Sequence, residues 1–111
     1  MIMDINGYRA MWIFAMFDLP TDTKKARKSY SLFRKNLLQD GFTMVQYSIY
    51  VRHCASEENV DVHYKRVENF LPDDGEVRIL IVTDKQFGRM QTFWGKMRKP
   101  TPPRPRQLEF F

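Results

Sequence analysis

One cysteine, five scattered glycines and no long apolar run set the first limits on this chain of 111 residues. A single thiol, Cys54, cannot close an internal disulfide, and nothing points to an oxidising compartment. Because the glycines never cluster, a Gly-rich phosphate loop is excluded. The apolar run at residues 10–17 falls far short of the roughly 20 residues that cross a bilayer. Met1-Ile2-Met3-Asp4 lacks the basic and apolar segments of a secretory signal, so the expected location is cytoplasmic. Only two histidines are present. His53 lies beside Cys54, but a third and fourth ligand with zinc spacing are missing. His63 is expected on a helix as a partly buried surface residue rather than a base. Ser48 has no Asp-His pattern around it, which leaves a hydrolase triad unsupported. The basic-Gly-aromatic run of the RNA-recognition module is also absent.

What is there suffices for one domain with a real core: 43% hydrophobic residues, of which the aromatic part is 14% of the chain. The formal net charge is +5, and it is unevenly spread. No acid occurs between Thr23 and Gln39, whereas Lys24, Lys25, Arg27, Lys28, Arg34 and Lys35 are all basic. The tail adds Lys96, Arg98, Lys99, Arg104 and Arg106, and acids gather between Glu57 and Glu76. Such a one-sided field suits a polyanion; a solvated helix face with a solubilising tail is the plainer reading.

Residues 10–17, bounded by a Pro-Thr-Asp turn, read as a strand buried on both faces. Thr21 or Thr23 can cap the helix that follows, with Asp22 favourable in its first turn. Ala26, Tyr30, Phe33 and Leu37 form that helix's apolar stripe, and Asp40-Gly41 stops it. Residues 43–52 alternate as β structure, either one long strand or two with a kink near Gln46. Ser56 can cap a second helix, with Glu57 and Glu58 in its first turn and a stripe of Val60, Tyr64, Val67 and Leu71. After the turn Pro72-Asp73-Asp74-Gly75 comes a buried strand over residues 77–82 that carries Arg78. Residues 85–90 read as a short helix, Thr92-Phe93-Trp94 as extended, and the four prolines of residues 100–105 as a stiff connector. The order β, α, β, α, β predicts an α+β, ferredoxin-like split β-α-β sandwich, with an antiparallel sheet and helices on one face. The bare face calls for a cover, most simply a second copy of the chain. The expected division is an N-terminal extension (1–10), a ferredoxin-like domain (11–95) and a basic, Pro-rich tail with a terminal strand (96–111).

Asp18 is the most informative residue, since a carboxylate at a strand end is held stiffly at the rim of the core while water or a metal can reach it. It can also simply start the turn, accepting from backbone N–H groups ahead of it. Asp18 is the only carboxylate the sequence puts at that rim. A two-fold axis near the strand end would face two Asp18 side chains, a pair that shares a proton or binds a divalent cation such as Mg2+. Beside a phosphate, that cation could activate water against a phosphodiester.

Phe17-Asp18-Leu19-Pro20-Thr21-Asp22-Thr23, the basic helix, Gly41-Phe42 and Val45-Gln46-Tyr47-Ser48-Ile49-Tyr50-Val51 together resemble the CRISPR-associated Cas-two family, the small subunit of the spacer-acquisition complex. Residues 16–23 and 85–90 look most like the branch that accompanies a single-protein RNA-guided nuclease. The resemblance implies a ferredoxin-like homodimer whose C-terminal strand pairs across the dimer. It places Asp18 on the family's metal-binding, catalytic Asp. It also implies a CRISPR integrase subunit as partner, met by Leu108, Phe110 and Phe111, and double-stranded DNA held along the dimer. Phe17 stands where many members carry Tyr, so no hydroxyl is available there. Lys24, Lys25, Arg27, Lys28, Arg34, Arg78, Arg98 and Lys99 are the expected nucleic-acid contacts. The leading expectation is a DNA-binding scaffold in CRISPR adaptation. The alternative is a Mg-dependent endonuclease cleaving RNA or DNA through paired Asp18, followed by a stand-alone ribonuclease toxin on the same fold.

Overall fold

A computed structural model describes residues 9–99, with the side chain of Lys99 excepted. The expected N-terminal extension before Arg9, together with Arg104, Arg106, Leu108, Phe110 and Phe111, lies outside the described residues. Among the described residues nine elements follow one another: β1 (Met11–Asp18), α1 (Lys24–Gln39), β2 (Thr43–Gln46), β3 (Ile49–Cys54), α2 (Glu57–Asn69), β4 (Glu76–Thr83), α3 (Asp84–Gly88), β5 (Thr92–Trp94) and β6 (Met97–Lys99). The first four strands form an antiparallel sheet in the order β2-β3-β1-β4. Strand β3 sits between the two strands that flank α1 in sequence, which is the split β-α-β arrangement the element order predicts.

The central strand β1 is apolar on both sides because both sides are covered, at least in part. Ile13, Ala15 and Phe17 enter the main core with Phe33 and Leu37 of α1 and Val60 and Val67 of α2. Trp12 and Val51 face the other way and form a second, smaller core with Phe87 of α3. The Trp12 and Phe87 rings stack with centroids 3.8 Å apart and planes 7° from parallel. Trp12 Nε1 also donates to Asp84 Oδ1 at 2.8 Å. Thr83 and Gln86 close a reciprocal capping box that starts α3. The short helix thus lies on the sheet face opposite α1 and α2, and it covers only the Trp12 end.

Local signals account for most boundaries. Thr23 is the cap of α1, its side chain accepting from Ala26 N. Asp22 lies outside the helix, whose first turn holds no acid, so the expected charge–dipole contribution of Asp22 within that turn is missing. Gly41 takes φ +91° after the helix end. Its N–H and that of Phe42 donate to the carbonyls of Leu38 and Leu37, closing a Schellman motif. Residues 43–52 form two strands, not one. The turn between them is Tyr47-Ser48, and Ser48 adopts φ +64° without a glycine or asparagine to announce it. Residues 92–99 contain a second short hairpin, β5–β6.

Helix α2 departs from its expected stripe. It buries Val60, His63 and Val67, while Tyr64 and Leu71 stay exposed. A polar partner draws the imidazole inward. His63 Nδ1 lies 2.8 Å from Asp40 Oδ2, and Arg66 donates to Asp40 Oδ1 at 2.9 Å. Arg52 adds a bond from Nε to the Asp40 carbonyl at 2.8 Å. The end of α1 is thereby fastened to α2 and β3 through groups distant in sequence. Cys54 is fully buried, and that burial pushes its thiol up to about 11, so it is an inert core residue.

Burial holds the His63 imidazole below its ordinary value of 6.5, against the pull of the Asp40 carboxylate. The unfolded chain therefore takes up a proton that the folded chain resists. Stability from this group is complete above about pH 6.5 and is lost as pH falls below that value. Thermal melts from pH 7.5 to 5.5 should show a steeper fall in Tm for the wild type than for His63→Gln; parallel curves would count against the assignment.

Candidate functional site

Asp18 ends β1 with its side chain exposed. By strand alternation it lies on the face of Trp12, Phe14 and Met16, away from α1 and α2. No hydrogen bond or ion pair among the described residues engages its carboxylate, so the turn-starting role is not the one it plays. The turn ahead is secured otherwise: Arg27 donates to the Thr21 carbonyl at 3.1 Å, and Thr23 caps the helix.

The rim holds a second acid that the sequence reading missed. Glu76 is the ladder partner of Asp18, which sets the two carboxylates as cross-strand neighbours on one face. Glu76 Oε2 accepts from Arg78 at 3.2 Å, with the two side chains 62% and 70% exposed. So open a pair adds little stability and leaves the acid available. Only the register of β4 against β1 brings Glu76 there, and the expectation of a lone acid at the rim is corrected. Among the described residues no group of three His, Cys, Asp or Glu side chains could hold a metal ion. One copy of the chain offers Asp18 and Glu76, an open and partial oxygen donor set. Mg2+ accepts such a set because it keeps most of its water.

The basic residues of α1 are placed as a surface. Lys24, Lys25, Arg27, Lys28, Arg34 and Lys35 are all exposed, and none makes an ion pair among the described residues. Lys24, Lys28 and Lys35 follow one side of the helix and Arg27 and Arg34 another, by helical spacing. Lys25 faces a groove that Asp22, Asp73 and Asp74 also line, so acids from outside the helix stand beside its first turn. Arg78 is not part of this surface. It lies on the Asp18 face, opposite Met16 in the ladder and paired with Glu76. Arg98 is exposed on β6, in the separate hairpin.

At the Asp18 end of the sheet the β2–β3 turn meets β1. Phe17 N donates to the Ser48 carbonyl at 3.0 Å. Tyr30 and Ser48 share a hydrogen bond between hydroxyls at 3.3 Å. The Tyr47 ring stacks on Tyr30 at 6.1 Å and 22°, yet remains 76% exposed. The neighbouring Tyr30 hydroxyl pushes the Tyr47 phenol above its ordinary 10, so it stays protonated.

Gly75 fixes the strand end from the other side. It has φ +90°, and a Cβ there would stand 2.6 Å from Leu19 Cδ2 and 2.8 Å from the Asp18 carbonyl oxygen. Gly75→Ala should therefore cost on the order of 2 kcal/mol or more, measured by urea unfolding. An unchanged midpoint would show that the Asp18 end yields without strain.

The model of the family described as CRISPR associated protein Cas2 matches residues 11–90. A CRISPR-associated endoribonuclease Cas2 of Parvibaculum lavamentivorans is 61% identical over 101 residues, covering 91% of this chain and all of the relative. The protein of that name from Flavobacterium psychrophilum is 53% identical over 107 residues, covering 96% of this chain and 93% of the relative. That of Ligilactobacillus salivarius is 46% identical over 86 residues, covering 78% and 85%. With a ferredoxin-like sheet, an acid ending β1 and a basic α1 in place, the chain belongs to the CRISPR-associated Cas2 family.

Proposed function

We propose that the protein is the nucleic-acid-holding subunit of a CRISPR adaptation complex, acting as a homodimer beside an integrase subunit. The observation that carries this reading is the α1 surface: six exposed cations with no acidic partner among the described residues. Cations left unpaired along the exposed sides of one helix are suited to phosphates, and contacts of this kind hold a duplex without reading its sequence. A homodimer is supported by the Asp18 face of the sheet. Beyond the reach of α3, Met16 and Ile49 are only half-buried and Leu80 is 48% exposed. A second copy seated there would cover them and double every basic patch along a duplex.

A second reading is favoured by the unengaged carboxylate of Asp18 and by the endoribonuclease names of the relatives. In it, Asp18 and Glu76 from two copies would hold a divalent cation such as Mg2+, which supplies an activated water for phosphodiester cleavage. The two readings differ in their sensitive residues.

Fluorescence anisotropy with a labelled DNA duplex at 50 and 200 mM salt tests the first. Affinity should drop steeply with salt, and the Lys24→Ala/Arg27→Ala variant should bind about tenfold more weakly or worse, with a shallower salt slope. Asp18→Ala should leave binding nearly intact. Flat affinity across that range would overturn the holding role. For the second reading, Asp18→Ala should abolish Mg2+-dependent cleavage of single-stranded RNA; cleavage that persists in the purified variant would place the activity elsewhere.

A further inference from the structure

Tyr47 is the feature that neither reading uses. A large aromatic ring left 76% exposed at the tip of a tight hairpin gains nothing for the core. It is nevertheless held in place. The two-residue turn sets Ser48 at φ +64°, a conformation that residues other than glycine rarely adopt. The Ser48 carbonyl is tied to Phe17 N, and the Ser48 hydroxyl to Tyr30. The Tyr47 ring lies nearly parallel to Tyr30, offset with centroids 6.1 Å apart, and Tyr30 is itself braced edge-on against Phe17 at 5.9 Å. The rest of the ring is open to solvent.

Cations stand beside Tyr30, the support of this ring. Arg27 and Arg34 lie three residues before and four residues after Tyr30 on α1, so they share its side of the helix. Both are exposed. An exposed aromatic ring braced on a helix side that carries two guanidinium groups is the chemistry that receives an unpaired base while its phosphates are neutralised. A paired base inside a duplex has no free face to offer it.

We propose that Tyr47, held against Tyr30 on the side of α1 that carries Arg27 and Arg34, is a stacking platform for one unpaired nucleobase of a single-stranded RNA or DNA segment. The proposal rests on the reading that α1 binds nucleic acid, and it adds a preference that phosphate contacts alone cannot give. Its location at the Asp18 end of β1 would set the unpaired segment where the strand leaves the α1 surface.

The test compares three labelled probes on the full chain: oligo-uridine RNA, oligo-thymidine DNA and a blunt DNA duplex of equal length. Tyr47→Ala should weaken both single-stranded probes about tenfold while duplex affinity and the salt slope stay unchanged. Tyr47→Phe should restore single-strand binding, because stacking needs the ring and not the hydroxyl. A larger loss for RNA than for DNA would add a 2′-hydroxyl contact to the same platform. Equal affinity of wild type and Tyr47→Ala for single strands, with duplex binding intact, overturns the platform alone. Wild-type protein that binds none of the three probes overturns the platform together with the holding role. A change in solution mass or Tm for Tyr47→Ala would assign the ring to assembly or folding and likewise overturn the platform.

Discussion

Everything in this structure hangs on β1 being packed from both sides. Its odd-numbered residues meet α1 and α2, and its even-numbered residues begin against α3 and end in the open at Asp18. A strand held in this way cannot slip by one position without sending Ile13, Ala15 and Phe17 to the wrong face. The position of Asp18 is therefore a consequence of core packing several residues away. The tight approach of Gly75 to the Asp18 carbonyl adds a second restraint on the same point.

The helix layer has its own anchor, and it is polar. Asp40 collects His63, Arg66 and, through its carbonyl, Arg52, joining α1, α2 and β3 at the end of the molecule remote from the rim. Its carboxylate is nearly inaccessible, so losing His63 or Arg66 would leave a buried charge poorly compensated. The basic side of α1 is free to face a ligand because the helix is secured by its other face and its C-terminal end.

Much of this was legible in the sequence. Capping residues, the glycine after α1 and the apolar run of β1 each carry a local physical signal, and the predicted order of elements leads to the observed sheet. The basic stripe of α1 could be read because an exposed helix face needs no partner to define it. What could not be read depends on pairings between distant residues. Glu76 joins Asp18 only through strand register. His63 displaces Tyr64 from the buried stripe only because Asp40 waits for it. The Tyr47-Ser48 turn was hidden because a serine took a conformation normally announced by glycine or asparagine.

The sheet is also a partition. Six cations of α1 stand on one side of it, whereas the free acid closing β1 points to the other. Within a single chain, then, a polymer gripped by the helix cannot have the same stretch of its backbone against the carboxylate. Gripping and any chemistry at the acid are divided between opposite surfaces. Reach from one to the other must be supplied by the length of the polymer or by a neighbouring molecule, and never by a shift of side chains alone.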